Sequence, residues 1–312
     1  MPRNGTINKK FSTFLFFPYI NPSFIVTPRY QAFVLTGGFM HPNIVEIGPF
    51  VIHWYGLLLS LSFLLGIYLS MYRAEKRGIN KDVIMDISIM VVLCAILGSR
   101  FQYVVTHVEE FQGHWLDVLN PVQSDGTVGI GGLSMLGGVV LSIVGLVVFA
   151  RIKKISLLVL GDVFSPAFGL GIGLTRIGCF MVGCCFGKAC DLPWGVVFPP
   201  HSIPASIPEL AGHAIHPTQL YSSLYGWIIF TTLLLLDRKR RFPGFVMAVF
   251  FMMYGVARFL VDFVRYYNDS LFTAFGQTWT INQAISVVMF FIGLFMLIFL
   301  PRLQSSSEAA EG

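Results

Sequence analysis

Three arginines lie inside long apolar stretches of the sequence, and they are the first residues to which a chemical role can be given. They are Arg100, Arg176 and Arg258. An ionisable side chain inside a membrane-spanning segment is costly, so each is a candidate functional residue. Because a guanidinium group pairs in a bidentate manner with phosphate or carboxylate, the three together predict an anion site. The alternative is structural: each arginine extends to the interface or pairs with a carboxylate such as Asp262, one helical turn from Arg258.

The composition predicts elements that cross a membrane. Of the 312 residues, 55% are apolar and only 12% are charged, and the mean hydropathy is +0.72. A soluble domain carries about twice that charged fraction. Apolar runs of about 20 residues predict an all-α, single-domain polytopic membrane protein with seven spans: 51–72, 83–105, 133–150, 157–180, 217–236, 243–264 and 279–300. The net charge of +5 comes from short basic clusters between these runs, so no nucleic-acid partner is predicted.

The distribution of Lys and Arg among the loops predicts the orientation. Basic clusters follow the first, third and fifth spans, at 73–81, 151–154 and 238–241. Loops rich in Lys and Arg face the cytoplasm, so the N-terminus is expected outside and the C-terminus inside. Residues 1–39 are expected to be an upstream extension without structure, with an ordered periplasmic arm as the alternative. The expected membrane domain is 40–303, and 304–312 form a polar cytoplasmic tail.

This orientation brings the three arginines to one depth. Each lies about 22–28 Å from the cytoplasmic end of its span, at about 1.5 Å per residue. Polar residues from other spans reach the same level: His53, Trp54, Tyr55, Ser134, His216, Gln219 and Tyr221. A phospholipid headgroup is the anion expected in the outer leaflet. Asp86 and Asp162 lie near the inner ends of their spans, where we expect a structural role in reach of water or neighbouring basic residues.

Five short strings occur in an order that resembles a known family, the bacterial prolipoprotein diacylglyceryl transferases. The resemblance runs from about Met40 to the seventh span, and a seven-span, N-out arrangement agrees with that family. The strings are His53-Trp54-Tyr55-Gly56, Gly131-Gly132-Leu133-Ser134-Met135-Leu136-Gly137-Gly138, Gly171-Ile172-Gly173-Leu174-Thr175-Arg176-Ile177-Gly178-Cys179-Phe180, His216-Pro217-Thr218-Gln219-Leu220-Tyr221 and Tyr254-Gly255-Val256-Ala257-Arg258-Phe259-Leu260-Val261-Asp262-Phe263-Val264-Arg265.

The resemblance implies an enzyme of the bacterial inner membrane that acts on phosphatidylglycerol. Such an enzyme moves the diacylglyceryl group to the lipobox cysteine of a preprolipoprotein signal peptide, and glycerol phosphate leaves. Arg176 and Arg258 match the two functionally important arginines of the family, and a positive site suits a departing phosphate and an incoming thiolate. The other candidate substrate-binding residues are Tyr55, Arg100, His216, Gln219, Tyr254, Asp262 and Arg265. We predict no cofactor and no metal ligand.

Several residues depart from the family pattern. Leu136 stands where better-known members have a histidine, so a mechanism with that base is excluded. Cys179 replaces an asparagine, Cys184 replaces an acidic residue, and Asp262 stands where a glutamate is usual, which keeps the charge.

Four cysteines lie close together at the outer end of the fourth span. Cys179, Cys184, Cys185 and Cys190 do not have the paired spacing of a structural zinc site. We expect a structural disulfide or small buried thiols, with a catalytic or redox role and metal binding as alternatives. The Gly171-x-Gly173 string lies within an apolar span and lacks the context of a nucleotide-binding loop.

Two functions of other classes are consistent with parts of the sequence. A non-catalytic paralogue that binds anionic lipid or lipoprotein signal sequences is suggested by Leu136 and Cys179. A small-solute transporter is suggested by the glycines that interrupt the third and fourth spans, although the arginines are expected in the outer leaflet and no inverted repeat is visible.

Overall fold

The structure is a computed structural model. It describes residues 35–36, 40, 42–47, 50–111, 134–239, 241–267, 272–274 and 277–311. Most of the predicted extension 1–39 and the Gly131-Gly132-Leu133 part of the third-span motif lie outside the described residues.

Helices long and apolar enough to cross a membrane make up most of the described chain. Within it there are seven, which confirms the predicted mostly helical, seven-span fold, whereas the orientation of the termini stays a prediction. They are α1 (Trp54–Glu75), α2 (Lys81–Thr106), α3 (Met135–Ile152), α4 (Leu157–Val182), α5 (Thr218–Asp237), α6 (Phe245–Val264) and α7 (Ile281–Glu311). The apolar part of α7 ends at Leu303, so the backbone of the predicted polar tail continues as helix.

Short strands lie in the connections at one end of the bundle, where α1, α5 and α7 begin and α4 and α6 end. They are β1 (Leu35–Thr36), β2 (Asn43–Ile47), β3 (Phe50–His53), β4 (Val196–Val197), β5 (Phe272–Ala274) and β6 (Gln277–Trp279). The pairs β2–β3 and β5–β6 are antiparallel, and β1 runs parallel to β4. The α4–α5 connection has a small apolar core of its own, built on Met40, Phe186, Val196, Phe198, Leu210 and Ile215.

Helix α4 is the centre of the bundle. It packs against α1, α5 and α6, whereas α3 packs mainly against α2 and α7 mainly against α6. The apolar part of α4 is also the most buried of the seven. The helix that carries Arg176 is therefore surrounded by protein, and the outer helices present most of the apolar surface.

Glycines let α4 and α5 approach each other closely. A Cβ atom built on Gly169 would lie 2.9 Å from the backbone nitrogen of Phe230, and one built on Gly226 would lie 2.6 Å from that of Gly173. Gly98 and Gly137 make a similar contact between α2 and α3. Small residues at four-residue spacing allow this kind of packing in membranes. All the glycines that interrupt the third and fourth spans except Gly171 thus serve packing. Both helices are continuous, which removes the observation that suggested a transporter.

Two alanine substitutions in α4 should have opposite effects on stability. Gly169→Ala places a methyl group against backbone that cannot move aside, and we expect it to destabilise the protein by about 1–3 kcal/mol. Gly171→Ala meets nothing within 4 Å, so it should be neutral or stabilise the helix by up to about 1 kcal/mol. Thermal unfolding of both variants in detergent measures the difference. Equal unfolding midpoints would show that the α4–α5 contact is looser than described.

A buried ionic network joins four helices at the opposite end of the bundle from the strands. Asp237 pairs with Arg73 at 3.0 Å and with Arg77 at 2.5 Å. Asp162 lies 3.9 Å from Arg77, and its carboxylate accepts hydrogen bonds from the backbone N–H groups of Gly244 and Met247, both at 2.9 Å. Asp162 therefore caps the start of α6.

The two inner carboxylates that the sequence assigned to structural roles differ in their surroundings. Asp86 is exposed. Asp162 is 3% exposed, so its partners are protein groups and not water, and its role as a helix cap is structural.

Candidate active site

Two arginines from neighbouring helices lie within electrostatic range of one tyrosine. Arg176 lies in the last two turns of α4, and Arg258 lies in the last two turns of α6. Both guanidinium groups interact electrostatically with the hydroxyl group of Tyr225 on α5. The ring of Tyr225 makes an edge contact with that of Tyr254 at 6.2 Å between centroids. Helix packing has therefore brought the two predicted catalytic arginines to one place, with Tyr254 beside them.

Arg258 is held by a buried polar network. Its Nη2 donates to the Tyr267 hydroxyl at 2.7 Å and lies 3.1 Å from Oδ1 of Asp262. Tyr267 donates to Asp262 at 2.6 Å, Thr280 donates to the other oxygen of Asp262 at 2.5 Å, and Asn282 donates to Tyr267 at 3.1 Å. Burial and the hydrogen bond to Asp262 raise the pKa of Tyr267 to about 12. Tyr267 therefore remains protonated and keeps Arg258 and Asp262 in place.

One donor of Arg258 is left over. Arg258 is only 7% exposed, and its Nη1 has no hydrogen-bond partner among the residues that the structure describes. A buried guanidinium nitrogen without a partner is unfavourable, because its interaction with water is lost and not replaced. An anion bound beside Arg258 would supply the missing acceptor.

Arg176 has no carboxylate partner in the described part of the chain. The groups that act on it are the Cys185, Tyr225, Cys179 and Tyr254 side chains. The structural alternative therefore applies to the two arginines differently: Arg258 does pair with Asp262, while no carboxylate neutralises Arg176. Its positive charge is available for a ligand.

Tyr55 lies at the start of α1 beside the end of α4. A Cβ atom on Gly178 would lie 3.0 Å from the Cα atom of Tyr55, so the glycine after Arg176 allows the two helices to touch. The Tyr55 hydroxyl interacts electrostatically with Arg176 and with the thiol groups of the nearby cysteines. Tyr55 is 40% exposed, so it is accessible from outside the bundle.

Gln219 lies in the site region, but its contact is with the protein backbone. It is fully buried, and its Nε2 donates to the carbonyl of Cys184 at 2.7 Å. Thr218 donates in the same way to the carbonyl of Cys185 at 2.7 Å. The start of α5 therefore fixes the loop that follows α4. Gln219 Oε1 has no hydrogen-bond partner within the described residues.

Three thiol groups lie near Arg176: Cys179 is in the last turn of α4, and Cys184 and Cys185 are in the loop after it. Hydrogen bonds from Cys179 and Cys184, together with Arg265 and Arg176, lower the pKa of the Cys185 thiol. Hydrogen bonds with Cys179 and Cys185 raise the pKa of Cys184. Arg265 itself lies with its guanidinium carbon 5.2 Å from the centre of the Tyr267 ring, and its Nε has no hydrogen-bond partner in the described chain.

His216 belongs to a separate polar chain in the α4–α5 connection. Its Nδ1 lies 3.3 Å from the hydroxyl of Tyr221, and that hydroxyl accepts a hydrogen bond from Nε1 of Trp194 at 2.8 Å. Burial and the charge of Lys188 lower the pKa of His216. His216 is therefore neutral at pH 7 and can accept a proton or a hydrogen bond.

The lowered pKa of His216 predicts a pH dependence of stability. Between that pKa and the ordinary value of 6.5, the unfolded chain binds more protons than the folded one, so stability should rise with pH up to about 6.5. His216→Gln should remove part of this slope when thermal unfolding is measured from pH 5 to pH 7.5. His213→Gln, at an exposed position of the same connection, is the matched control and should leave the slope intact. The same slope in His216→Gln and wild type would assign the dependence to other groups.

Arg100 is buried on the side of the bundle formed by α2 and α3. It is 7% exposed, and its guanidinium carbon lies 5.0 Å from the centre of the Phe111 ring. Leu136 lies on α3 and is 62% exposed. The position where better-known family members have a histidine thus carries an exposed apolar side chain.

Some residues of the site were missed at the level of sequence. They are Tyr225, Tyr267, Thr280 and Asn282. One signal was available: Thr280 and Gln283 form a reciprocal capping box at the start of α7, with hydrogen bonds of 2.9 and 3.2 Å, and this spacing is readable in a sequence. No periodicity points to Tyr267, which follows α6 in a connection.

Together these features define a class of protein. It is a polytopic membrane protein with arginines inside its helix bundle, near one end. One of them, Arg258, has a guanidinium nitrogen without a hydrogen-bond partner among the described residues. The family comparison then identifies the chain more closely. The profile of the prolipoprotein diacylglyceryl transferase family matches residues 42–299, and the chain belongs to that family of transferases.

Individual relatives agree over most of their length. The phosphatidylglycerol–prolipoprotein diacylglyceryl transferase of Geobacter sulfurreducens is 32% identical over 265 residues, which cover 84% of this chain and 95% of the relative. The protein of the same name from Bordetella avium is 34% identical over 269 residues, covering 85% and 96%. That of Francisella tularensis subsp. mediasiatica is 31% identical over 263 residues, covering 83% and 92%. These matches confirm the resemblance that the sequence motifs indicated.

Proposed function

We propose that this chain transfers the diacylglyceryl group of phosphatidylglycerol to the lipobox cysteine of preprolipoproteins, the first step of bacterial lipoprotein maturation. The family and the names of its relatives support the reaction. The observation that carries the assignment to a site is the Nη1 of buried Arg258, which has no hydrogen-bond partner among the described residues. Both Arg258 and Arg176 interact electrostatically with Tyr225.

The reaction places a growing negative charge where the two arginines lie. The lipobox thiolate attacks the glyceryl carbon next to the phosphodiester, a carbon–sulfur bond forms, and the carbon–oxygen bond to phosphate breaks. Glycerol phosphate leaves, and its phosphate gains one negative charge. Both arginines are positive, and the polar network holds Arg258 in place. They would therefore stabilise this charge most strongly in the transition state. A positive site also lowers the pKa of the incoming thiol.

An apolar groove between α6 and α7 suits an acyl chain of the lipid. It has a volume of about 210 Å³ and is lined by Gly255, Phe259, Phe290 and neighbouring residues. Gly255 lies about one turn before Arg258, toward the middle of α6. A headgroup at Arg258 would therefore place a fatty acyl chain along this groove.

The remaining candidates are assigned to positioning. Tyr55, His216, Gln219 and Tyr254 would orient the lipid headgroup or the peptide. The other three have different roles. Asp262 holds Arg258, Arg265 adds positive charge near Cys185, and Arg100 adds positive charge on α2. Leu136 cannot accept a proton, so the proton of the lipobox thiol must go to another group or to water.

The proposed location is the bacterial inner membrane, with the site in its outer leaflet. The basic clusters after α1, α3 and α5 would face the cytoplasm, the N-terminus would lie outside and the C-terminus inside. A preprolipoprotein signal peptide, which is itself embedded in the membrane, would reach the site from the lipid.

The transfer assay tests this proposal. Purified full-length protein is given phosphatidylglycerol labelled in its diacylglycerol part and a synthetic lipobox peptide. We expect a labelled thioether product, which is lost with Arg176→Ala protein and with a Cys→Ser peptide. Lipid binding without product in the wild type would instead support the non-catalytic paralogue, for which Leu136 and Cys179 are the specific reason.

A further inference from the structure

Three thiol groups converge where α4 ends. The Sγ atoms of Cys179, Cys184 and Cys185 lie within 4.8 Å of one another. Cys179 is buried, and the other two are half-buried. No fourth histidine, cysteine or carboxylate ligand atom of the described residues joins them within that distance. The cluster is therefore a set of three soft ligands with partial access.

The backbone that carries these thiols is fixed by buried side chains. The N–H of Cys184 donates to the carbonyl of Cys179 at 3.1 Å. Cys185 adopts a left-handed conformation with φ of 62°, which is uncommon for a residue other than glycine. Thr218 and Gln219 donate to the carbonyls of Cys185 and Cys184. The thiols are thus held together before any ligand arrives, which favours binding.

Positive charge surrounds the cluster. Arg265 and Arg176 both interact electrostatically with Cys185. Three thiolates carry a charge of −3, and a bound monovalent cation brings the net charge of the cluster to −2. The two guanidinium groups, each +1, neutralise this net charge. A divalent cation would leave one uncompensated positive charge in a partly buried place, which is costly.

We propose that Cys179, Cys184 and Cys185 form a three-coordinate thiolate site for a soft monovalent cation, Cu(I). Thiolate ligands select Cu(I) and Zn(II) among the metals, and structural Zn(II) almost always takes four ligands. Metal–sulfur bonds of about 2.3 Å place three sulfurs about 4 Å apart, so the described arrangement needs little change. Each thiol that binds loses its proton to solvent, and no electron is transferred. The proposal departs from the expectation that the chain has no metal ligand. The cluster shares Arg176 and Arg265 with the proposed transferase site, whereas its test measures metal binding and needs no transferase activity.

Binding of Cu(I) alone is the test. Full-length protein in detergent is reduced under anaerobic conditions and titrated with Cu(I) against a chromophoric Cu(I) chelator. We expect one equivalent per chain, and Cys185→Ser should weaken the affinity at least about 100-fold. Cys190→Ser is the matched control, because Cys190 lies in the same loop and outside the cluster, and it should bind as wild type does.

A protection measurement needs no variant. Bound Cu(I) should slow alkylation of Cys179, Cys184 and Cys185 in the wild-type protein and leave Cys94 and Cys190 unchanged, as read by mass spectrometry. The proposal would be overturned if the protein took up less than one equivalent of Cu(I), or if Cys190→Ser weakened Cu(I) binding as much as Cys185→Ser does. Tighter binding of Zn(II) than of Cu(I) in a parallel titration would overturn the choice of cation. Two results together would identify a redox pair instead: a disulfide forms within the cluster in air, and the reduced protein takes up no Cu(I).

Discussion

Arg258→Ala protein should lose transferase activity by at least about 10²–10³-fold, the effect of removing one preorganised donor from a developing charge. The side chain contributes a buried positive charge and an Nη1 donor without a partner among the described residues. The phosphate gains charge as the carbon–oxygen bond breaks. We therefore expect kcat to fall more than KM rises when transfer to a lipobox peptide is measured.

A lysine at position 258 separates charge from geometry. Arg258→Lys keeps the charge but has no planar fork, so one ammonium group cannot hold both Tyr267 and Asp262 and also face the phosphate as the guanidinium does. It should recover only a small part of the activity. Arg151→Ala, which removes an exposed arginine at the end of α3, is the matched control and should retain full activity. Full activity in Arg258→Ala would remove Arg258 from the site, provided that thermal unfolding shows both variants to be folded.

Asp237→Ala should be the most destabilising single change at the other end of the bundle, by about 3–5 kcal/mol, the cost of removing one partner of a buried ion pair. Asp237 is the carboxylate that both Arg73 and Arg77 contact, and these arginines are only 4% and 5% exposed in their side chains. Without Asp237, buried positive charges lose a shared partner. The network joins α1, α4, α5 and α6, so the loss should affect the whole bundle.

Thermal or denaturant unfolding in detergent measures this loss, with two comparisons. Asp237→Asn keeps the hydrogen-bond acceptor and should lose less than Asp237→Ala. Asp86→Ala removes an exposed carboxylate on α2 and should change stability little. If Asp237→Ala and Asp86→Ala unfold alike, the network contributes little to the stability of the bundle.

The two predictions concern opposite ends of the same helices, and they should be separable. The Arg258 variants are expected to affect the reaction more than stability, because Asp262 keeps its hydrogen bonds from Tyr267 and Thr280. The Asp237 variants are expected to affect stability first. Specific activity per folded molecule should therefore fall in the first set and remain in the second.

The sequence by itself determined the seven helices and their approximate limits. Its motifs also selected two arginines as candidates, which stays a prediction. Apolar runs long enough to span a membrane are local properties, because hydropathy and helix length depend on neighbouring residues. The motif strings were sufficient to indicate the family. Asp162 was correctly assigned a structural role, although its burial and its position at the start of α6 were not foreseen.

Only the tertiary structure decided which of these groups meet. Three contacts join residues from different helices or connections. They are the electrostatic interactions of Tyr225 with Arg176 and Arg258, the hydrogen bond of Arg258 to Tyr267, and the hydrogen bond of Gln219 to a backbone carbonyl. The network of Arg73, Arg77, Asp162 and Asp237 also joins residues that are far apart in the chain. The convergence of three of the clustered cysteines also depends on how the loop after α4 is held by α5. Such contacts depend on how closely the helices approach, which the glycines of α4 and α5 permit and which no local pattern specifies.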